Sequence, residues 1–238
     1  MSSFLEKKRI NYVVPILLQA IIYIFSYALF KSFGHFHVKG LENLEMIPRE
    51  NGIIFAANHS SEWDGILIRA SLPFFSRRFS PMYYVARARS FYKESSWRVL
   101  FYGGTLFKLL GAYPAYSGNK DYSFSLQHFM TVLNLKRNIS IFPEGRRTRD
   151  GTIGVAHGGV AFLAQNTLSS VVPVAITGLV NLTLFDFLLR RRHVSISFGK
   201  PFENSVLFAK PLKTAEDYRL VASHIMGRVE DMLRQTIN

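Results

Sequence analysis

Two polar side chains lie five positions apart at a predicted strand-to-helix turn. His59 and Asp64 stand in residues 58–64, directly after the apolar run Ile53–Ala57. An imidazole that is partly neutral at physiological pH can take a proton from an alcohol, and a neighbouring carboxylate can orient the ring and stabilise the imidazolium. The spacing therefore indicates a base–orienter pair suited to the attack of a hydroxyl group on a carbonyl carbon.

The same residues also have structural interpretations. Ser61 and Asp64 form a variant of a capping box at the start of a helix, which would use the carboxylate for backbone hydrogen bonds. His59 would then be a loop histidine whose hydrogen bonds are satisfied. The pair alone does not decide between catalysis and these structural roles.

The second block places one carboxylate and three guanidinium groups on a loop that follows an apolar strand. Residues 139–142 are the strand, and the loop continues with Pro143, Glu144, Gly145, Arg146, Arg147, Thr148 and Arg149. The proline and glycine end the strand, and the carboxyl ends of strands are where open α/β sheets bind ligands. Planar guanidinium groups at that edge suit a phosphate monoester. Taken singly, Arg146 or Arg149 also fits a solvated basic loop.

Together the two blocks resemble the glycerolipid acyltransferase family, whose best-known members are 1-acyl-glycerol-3-phosphate acyltransferases. The His-x₄-Asp spacing from His59 to Asp64, preceded by Asn58, matches the family's first motif. Residues 142–148 match its third motif, and residues 172–176, a buried-strand pattern with a proline, match its fourth. The motifs occur in the family's order, and the resemblance covers roughly residues 38–200.

The resemblance implies a function and a set of site residues. A fatty acyl group would move from an acyl thioester, acyl-CoA or acyl carrier protein, to the free hydroxyl of a lysophospholipid. 1-Acyl-glycerol-3-phosphate is the expected acceptor, with phosphatidate as the product. His59 and Asp64 would be catalytic, and the substrate-binding residues would be Glu144, Gly145, Arg147 and Thr148. Neither a cofactor nor a metal is expected.

The family's second motif differs in this chain. Residues 110–119 resemble it, but Ser117 stands where the family usually has an arginine that helps to hold the acceptor's phosphate. Lys120 or Arg87 would have to supply the missing charge. A lyso-lipid with another head group is therefore an alternative acceptor.

Two other classes of protein are weighed against this function. A hydrolase would release the acyl group to water, but the chain has no Gly-x-Ser-x-Gly nucleophile motif. A non-catalytic basic binding protein would use the net charge of +13 to bind an anionic partner. Nucleic-acid-binding signatures are absent from the sequence, so the charge favours an anionic membrane surface and no nucleic acid. The lack of cysteine removes disulfides and thiolate chemistry.

The amino-terminal segment predicts membrane attachment. Residues 13–30 carry no charge, and only Pro15, Gln19 and Ser26 interrupt the apolar run. Basic residues flank both ends, at positions 7–9 and at Lys31 and Lys39, so the positive-inside tendency draws both flanks to the cytoplasmic side. We expect a shallow or re-entrant anchor, with the catalytic domain on the cytoplasmic face of the membrane. A full span and a buried core helix are the alternatives.

Strand and helix patterns alternate through the rest of the chain. Strands are predicted at residues 52–57, 82–86, 138–142, 171–176 and 193–198, and helices at residues 62–72, 96–110, 122–136, 158–167 and 215–236. This alternation indicates an α/β fold with a mixed, mostly parallel sheet flanked by helices. We expect an amino-terminal membrane-anchoring segment, residues 1–37, followed by one catalytic domain, residues 38–238.

Overall fold

Among the residues that the computed structural model of this protein describes, seven strands form one sheet. The structure describes residues 13–74, 76–87, 108–115 and 121–237. The strands are β1 (His37–Lys39), β2 (Ile53–Ala57), β3 (Met82–Arg87), β4 (Ala112–Ala115), β5 (Asn138–Ile141), β6 (Ser170–Thr177) and β7 (Ser195–Phe198). Their order in the sheet is β1-β7-β6-β2-β5-β3-β4.

The helices lie between and around these strands. They are α1 (Val13–Phe33), α2 (Asp64–Ala70), α3 (Tyr122–Ser125), α4 (Gln127–Asn134), α5 (Gly159–Thr167), α6 (Leu184–Leu188), α7 (Asn204–Leu207) and α8 (Ala215–Ile237), and a short 3₁₀-helix covers Leu41–Met46. Strands β6, β2, β5, β3 and β4 pair in parallel, whereas β7 is antiparallel to β6 and parallel to β1. The predicted mixed, mostly parallel sheet is confirmed.

The central strands are apolar because helices cover both of their faces. Along β2 the side chains alternate between two cores: Ile54 and Ala56 face the core beneath α4, α5 and α8, whereas Ile53 and Phe55 face the core beneath α1 and α2. β2 lies between β6 and β5 in the sheet. The loops that leave the carboxyl ends of these three parallel strands therefore meet at one edge.

Helix α1 packs along its length on the α/β domain. One stripe of the helix is buried, made of Pro15, Gln19, Tyr23, Ser26 and Phe30. The Gln19 side chain donates to the carbonyls of Met82 (2.6 Å) and Leu110 (2.8 Å) and accepts from the Met82 N–H (2.9 Å). The uncharged run contains a glutamine because this side chain binds backbone groups at the amino end of β3.

The opposite side of α1 is exposed and apolar. Its large exposed side chains are Val13, Ile16, Leu17, Ile21, Ile24, Phe25, Tyr27 and Leu29. Among the described residues, α1 is the helix long and apolar enough to cross a membrane, with a mean hydropathy of 2.1. The buried core helix that was the alternative does not describe this arrangement, since one face of α1 packs on protein and the other does not.

Several elements differ from the sequence predictions. Strands β1 and β4 are unpredicted, because each is short; β4 tolerates Pro114 since it pairs only with β3 among the described strands. The predicted helix 122–136 divides into α3 and α4 at Leu126 (φ −114°). In the predicted helix 215–236 the sequence pattern places four apolar residues on the core, namely Leu220, Ile225, Val229 and Met232. Leu220 is instead 63 % exposed on α8. Leu220 and Ile225 are five residues apart, which places them on different faces of a helix.

Some sequence predictions fall on residues outside the described ranges. These are the basic flank at positions 7–9, most of the predicted helix 96–110, and Ser117 and Lys120 of the second motif. The side chain of Arg87 is likewise outside the description. Within the second motif, the part that is described forms β4.

Candidate active site

The imidazole of His59 and the carboxylate of Asp64 are in direct contact. His59 Nδ1 lies 2.8 Å from Asp64 Oδ2, across the turn that joins β2 to α2. The Asp64 side chain is fully buried, whereas 22 % of the His59 side chain is exposed. The structure therefore brings the predicted pair together, with the carboxylate inside and the imidazole at the surface of the site.

Asp64 also organises the turn. Its Oδ2 atom accepts hydrogen bonds from the backbone N–H groups of Ser60 (2.6 Å) and Ser61 (2.8 Å). The capping role and the orienting role are thus carried by the same oxygen, and they do not exclude each other. Three N–H donors around one oxygen fix the carboxylate, so the imidazole meets a rigid partner.

A ring at the end of β5 fixes the plane of the imidazole. Phe142 stacks on His59, with 4.1 Å between ring centroids and 16° between planes. Oδ2 of Asp64 already accepts hydrogen bonds from two backbone N–H groups, so it acts as an acceptor toward the ring as well. The imidazole hydrogen is therefore assigned to Nδ1, and Nε2 carries the lone pair. Among the described residues, none forms a hydrogen bond to Nε2. The geometry leaves this atom able to accept a proton from a bound molecule.

Glu144 connects the two sequence blocks through the backbone. Its Oε1 accepts from the His59 N–H (2.9 Å) and its Oε2 accepts from the Gly154 N–H (2.8 Å). The residue is buried, at 4 % exposure. The sequence prediction assigns Glu144 to substrate binding, but both carboxylate oxygens face backbone donors, which suits positioning of the histidine.

The loop after Glu144 is held against the His59 turn. Gly145 has φ of 65°, in the left-handed region that favours glycine, and a Cβ there would lie 3.1 Å from the His157 ring. The Thr148 N–H donates to the His59 carbonyl (2.8 Å), while its hydroxyl donates to Asp150 (2.7 Å). These contacts make Gly145 and Thr148 parts of the loop's architecture.

Arg147 reaches the first motif through an ion pair. Its Nη1 atom lies 3.0 Å from Oε1 of Glu62, and both side chains are more than one third exposed. The pair holds a guanidinium group beside the turn that carries His59 and Asp64. An exposed ion pair of this kind is weak, about 0–1 kcal/mol, so a bound anion can displace the carboxylate.

Three further residues support the site. Asn58 is buried and pairs with the backbone of Ile176 in β6, donating to its carbonyl (3.0 Å) and accepting from its N–H (2.8 Å). Trp63 packs edge-on against Phe30 of α1, at 5.4 Å between ring centroids. Asn58 and Phe142 belong to the motifs that carry the family resemblance, but no role was predicted for them or for Trp63. An asparagine directly after a buried strand and an aromatic residue at a strand end were the available signals.

Two concavities of the described surface lie away from the pair. One, of about 440 Å³, is lined by Phe202 and residues of α8 that include His224 and Arg228. The other, of about 300 Å³, is lined by residues 155–157 and by part of α8. Neither includes His59. Each lining contains a histidine and at least one carboxylate, but among the described residues no hydrogen bond or ion pair joins the two, so the chemistry is assigned to the His59 turn.

Comparison with known protein families gives the class of protein. The family model described as Acyltransferase matches residues 36–177, which is more than half of the chain and contains both the His59–Asp64 turn and the Arg147 loop. The chain belongs to the acyltransferase family.

A solved structure has a similar fold. It is the crystal structure of PlsC, the 1-acyl-sn-glycerophosphate (LPA) acyltransferase from Thermotoga maritima, with a TM-score of 0.60. The two sequences are 20 % identical, and the alignment covers 92 % of this chain and 79 % of that chain. At this identity the similarity establishes the shared fold, including the mixed sheet with flanking helices.

Proposed function

We propose that this protein transfers a fatty acyl group from an acyl thioester to the free hydroxyl of a lysophospholipid. The proposed acceptor is 1-acyl-glycerol-3-phosphate, which gives phosphatidate, and the donor is acyl-CoA or acylated acyl carrier protein. The contact between His59 and Asp64, 2.8 Å long at the carboxyl end of the parallel strand β2, carries the proposal. Membership of the acyltransferase family supports the same chemistry.

The proposed reaction is a single acyl transfer. The acceptor hydroxyl oxygen bonds to the thioester carbonyl carbon while Nε2 of His59 takes the hydroxyl proton. Asp64 stabilises the imidazolium through Nδ1. The carbon–sulfur bond then breaks, and the imidazolium returns its proton to the departing thiolate. The products are an ester and a free thiol, and the proposal requires no acyl-enzyme, metal or cofactor.

Arg147 is proposed to bind the acceptor's phosphate. Its guanidinium group is beside the His59 turn and pairs with Glu62, which an incoming phosphate would replace. This contact would form with the substrate before chemistry begins. Glu144, Gly145 and Thr148 would act on this binding indirectly, by fixing the loop that presents Arg147.

The membrane location is part of the same proposal. α1 is roughly 32 Å long, yet its buried stripe runs from Pro15 to Phe30 against the α/β domain. A helix docked over this length cannot stand across a bilayer without leaving the domain. We therefore propose that α1 lies in the membrane interface with its apolar outer face in lipid, as the shallow anchor requires.

The two proposed regions then have separate roles. Residues 1–37 attach the protein to the membrane, and residues 38–238 catalyse the reaction on the cytoplasmic side, where Lys31 and Lys39 meet anionic lipid. Because the acceptor is itself a membrane lipid, an enzyme attached in this way receives its substrate from the bilayer surface.

One experiment tests the proposed reaction directly. Purified full-length protein is incubated with acyl-CoA or acylated acyl carrier protein, isotopically labelled in the acyl group, and with a panel of lysophospholipids that differ in head group. Labelled phosphatidate, formed only when 1-acyl-glycerol-3-phosphate is supplied, is the expected product. Preference for another head group would replace the proposed acceptor, whereas free fatty acid formed without any acceptor would indicate a hydrolase.

A further inference from the structure

A short helix beside α1 exposes large apolar side chains. α6 exposes Leu184 (73 %), Phe185 (64 %) and Leu188 (51 %), and Leu189 follows it with 48 % exposure. Scattered apolar side chains are ordinary on protein surfaces, but a contiguous group marks a surface that meets another apolar phase. This group lies outside the catalytic turn described above.

The helix is firmly fixed to the rest of the molecule. Thr183 caps it by accepting from the Asp186 N–H (3.0 Å). Phe187, the buried residue of α6, packs on Phe30 (4.9 Å between ring centroids) and Phe33 (5.8 Å) of α1. The exposed side chains are therefore presented by a packed element, next to the carboxyl-terminal end of α1.

Exposed cations border the apolar side chains. Arg190 and Arg191 are exposed, and the Arg191 guanidinium lies over the Phe185 ring at 5.4 Å. Arg192 differs, because it turns toward Asp186 (3.5 Å) and the Asn181 carbonyl (3.2 Å). An arginine whose guanidinium covers an apolar ring suits the boundary between lipid tails and anionic head groups.

The segment that precedes α6 contacts the loop that carries Arg147. Asn181 Nδ2 donates to the carbonyl of Arg149 (3.2 Å). Val180 also lies next to that loop, since a Cβ on Gly151 would be 3.3 Å from its side chain. The position of α6 is consequently coupled to the position of the proposed phosphate-binding loop.

We propose that Leu184, Phe185, Leu188, Arg190 and Arg191, which we name the α6 patch, bind an anionic bilayer surface. The patch is a second membrane contact beside the outer face of α1, and it holds the Arg147 loop at head-group level. The inference rests on the membrane location proposed above and not on the acyl-transfer chemistry. A bilayer fits both properties of the patch, because its tails take the apolar side chains and its anionic head groups take the arginines.

The chain contains no cysteine, so a single introduced thiol labels one position. Leu184→Cys and Leu220→Cys are each labelled with an environment-sensitive fluorophore, and the full-length proteins are reconstituted into phosphatidylcholine vesicles containing phosphatidylglycerol. Leu220 is a matched control, since it is an exposed leucine on α8, which packs on the opposite face of the sheet. Spin-labelled lipids then quench any fluorophore that lies in the bilayer.

Lipid should contact the label on α6 and not the label on α8. The fluorophore at position 184 should be quenched at least about twofold more than that at position 220, because an interfacial helix buries its apolar face about 5–10 Å into the bilayer. Arg190→Gln combined with Arg191→Gln should reduce this quenching on anionic vesicles and leave it unchanged on pure phosphatidylcholine. Arg228→Gln, on the exposed side of α8, is the charge control.

Two results would refute the proposal that the α6 patch binds the bilayer. Equal quenching at positions 184 and 220 would show that the patch does not enter lipid. A blue-shifted but unquenched fluorophore at position 184 would show that a second protein molecule covers it instead. Acyl transfer to soluble short-chain substrates is measured on the labelled proteins and on the unmutated protein. Absence of this activity in the unmutated protein would refute the proposed function and leave the lipid contact unaffected.

Discussion

Replacing Asp64 by asparagine isolates the charge of the carboxylate from its shape. The contacts to the Ser60 N–H, the Ser61 N–H and His59 Nδ1 all use Oδ2. An asparagine can place its single carbonyl oxygen at that position and keep all three. The turn should therefore stay folded, while the imidazolium that forms during the reaction loses its negative partner.

The size of the effect follows from the geometry. Opposite unit charges about 4 Å apart attract by about 4 kcal/mol at an effective dielectric constant near 20. Because the His59 side chain is 22 % exposed, solvent takes over part of this stabilisation. We expect a loss of about 3–4 kcal/mol in the transition state, which corresponds to a fall in kcat of about 10²–10³-fold.

The assay is steady-state acyl transfer with purified Asp64→Asn and unmutated protein. The acceptor KM should change little, because the lost interaction forms only as the proton moves. Circular dichroism and thermal unfolding serve as controls for the fold. A folded Asp64→Asn protein whose kcat is within about tenfold of the unmutated value would refute the orienting role.

The remaining predictions concern the ion pair of Arg147, the buried carboxylate of Glu144 and the Gln19 side chain of α1. Arg147→Ala should raise the acceptor KM by about tenfold to a hundredfold with less effect on kcat, whereas Glu62→Gln should lower that KM severalfold, because it removes the carboxylate that competes with phosphate. Glu144→Gln should destabilise the fold by about 1–3 kcal/mol in denaturant titration and lower kcat, since the amide group can satisfy only one of the two backbone N–H groups. Gln19→Leu should destabilise by about 2–4 kcal/mol, because the buried backbone groups of Met82 lose both partners; an unchanged unfolding midpoint would contradict this role.

The predictable part of the site is local in sequence. His59 and Asp64 are five residues apart on one turn, so their contact depends on little beyond the end of β2 and the start of α2. The buried strands β2 and β6 can also be predicted from the sequence, because strands covered on both faces are continuously apolar. These features are set by neighbouring residues and by burial alone.

The remainder depends on contacts between distant parts of the chain. Glu144 accepts a hydrogen bond from the His59 N–H, which lies 85 positions earlier in the chain, and Asn58 pairs with Ile176, 118 positions later. The sequence shows a carboxylate and an amide at these positions. Their partners are determined by the pairing of β5 and β6 with β2 in the folded sheet. Gln19 interrupted an apolar run for the same reason, since its partners lie at the start of β3 and before β4.

The central claim is that the imidazole of His59 takes the acceptor's proton during acyl transfer. The most direct measurement compares purified unmutated and His59→Ala proteins, supplied with labelled acyl thioester and 1-acyl-glycerol-3-phosphate, by mass spectrometry of the lipid product. We expect phosphatidate from the unmutated protein and a loss of at least about 10³-fold in its formation from a folded His59→Ala protein. Phosphatidate formed by His59→Ala at near the unmutated rate would contradict the claim.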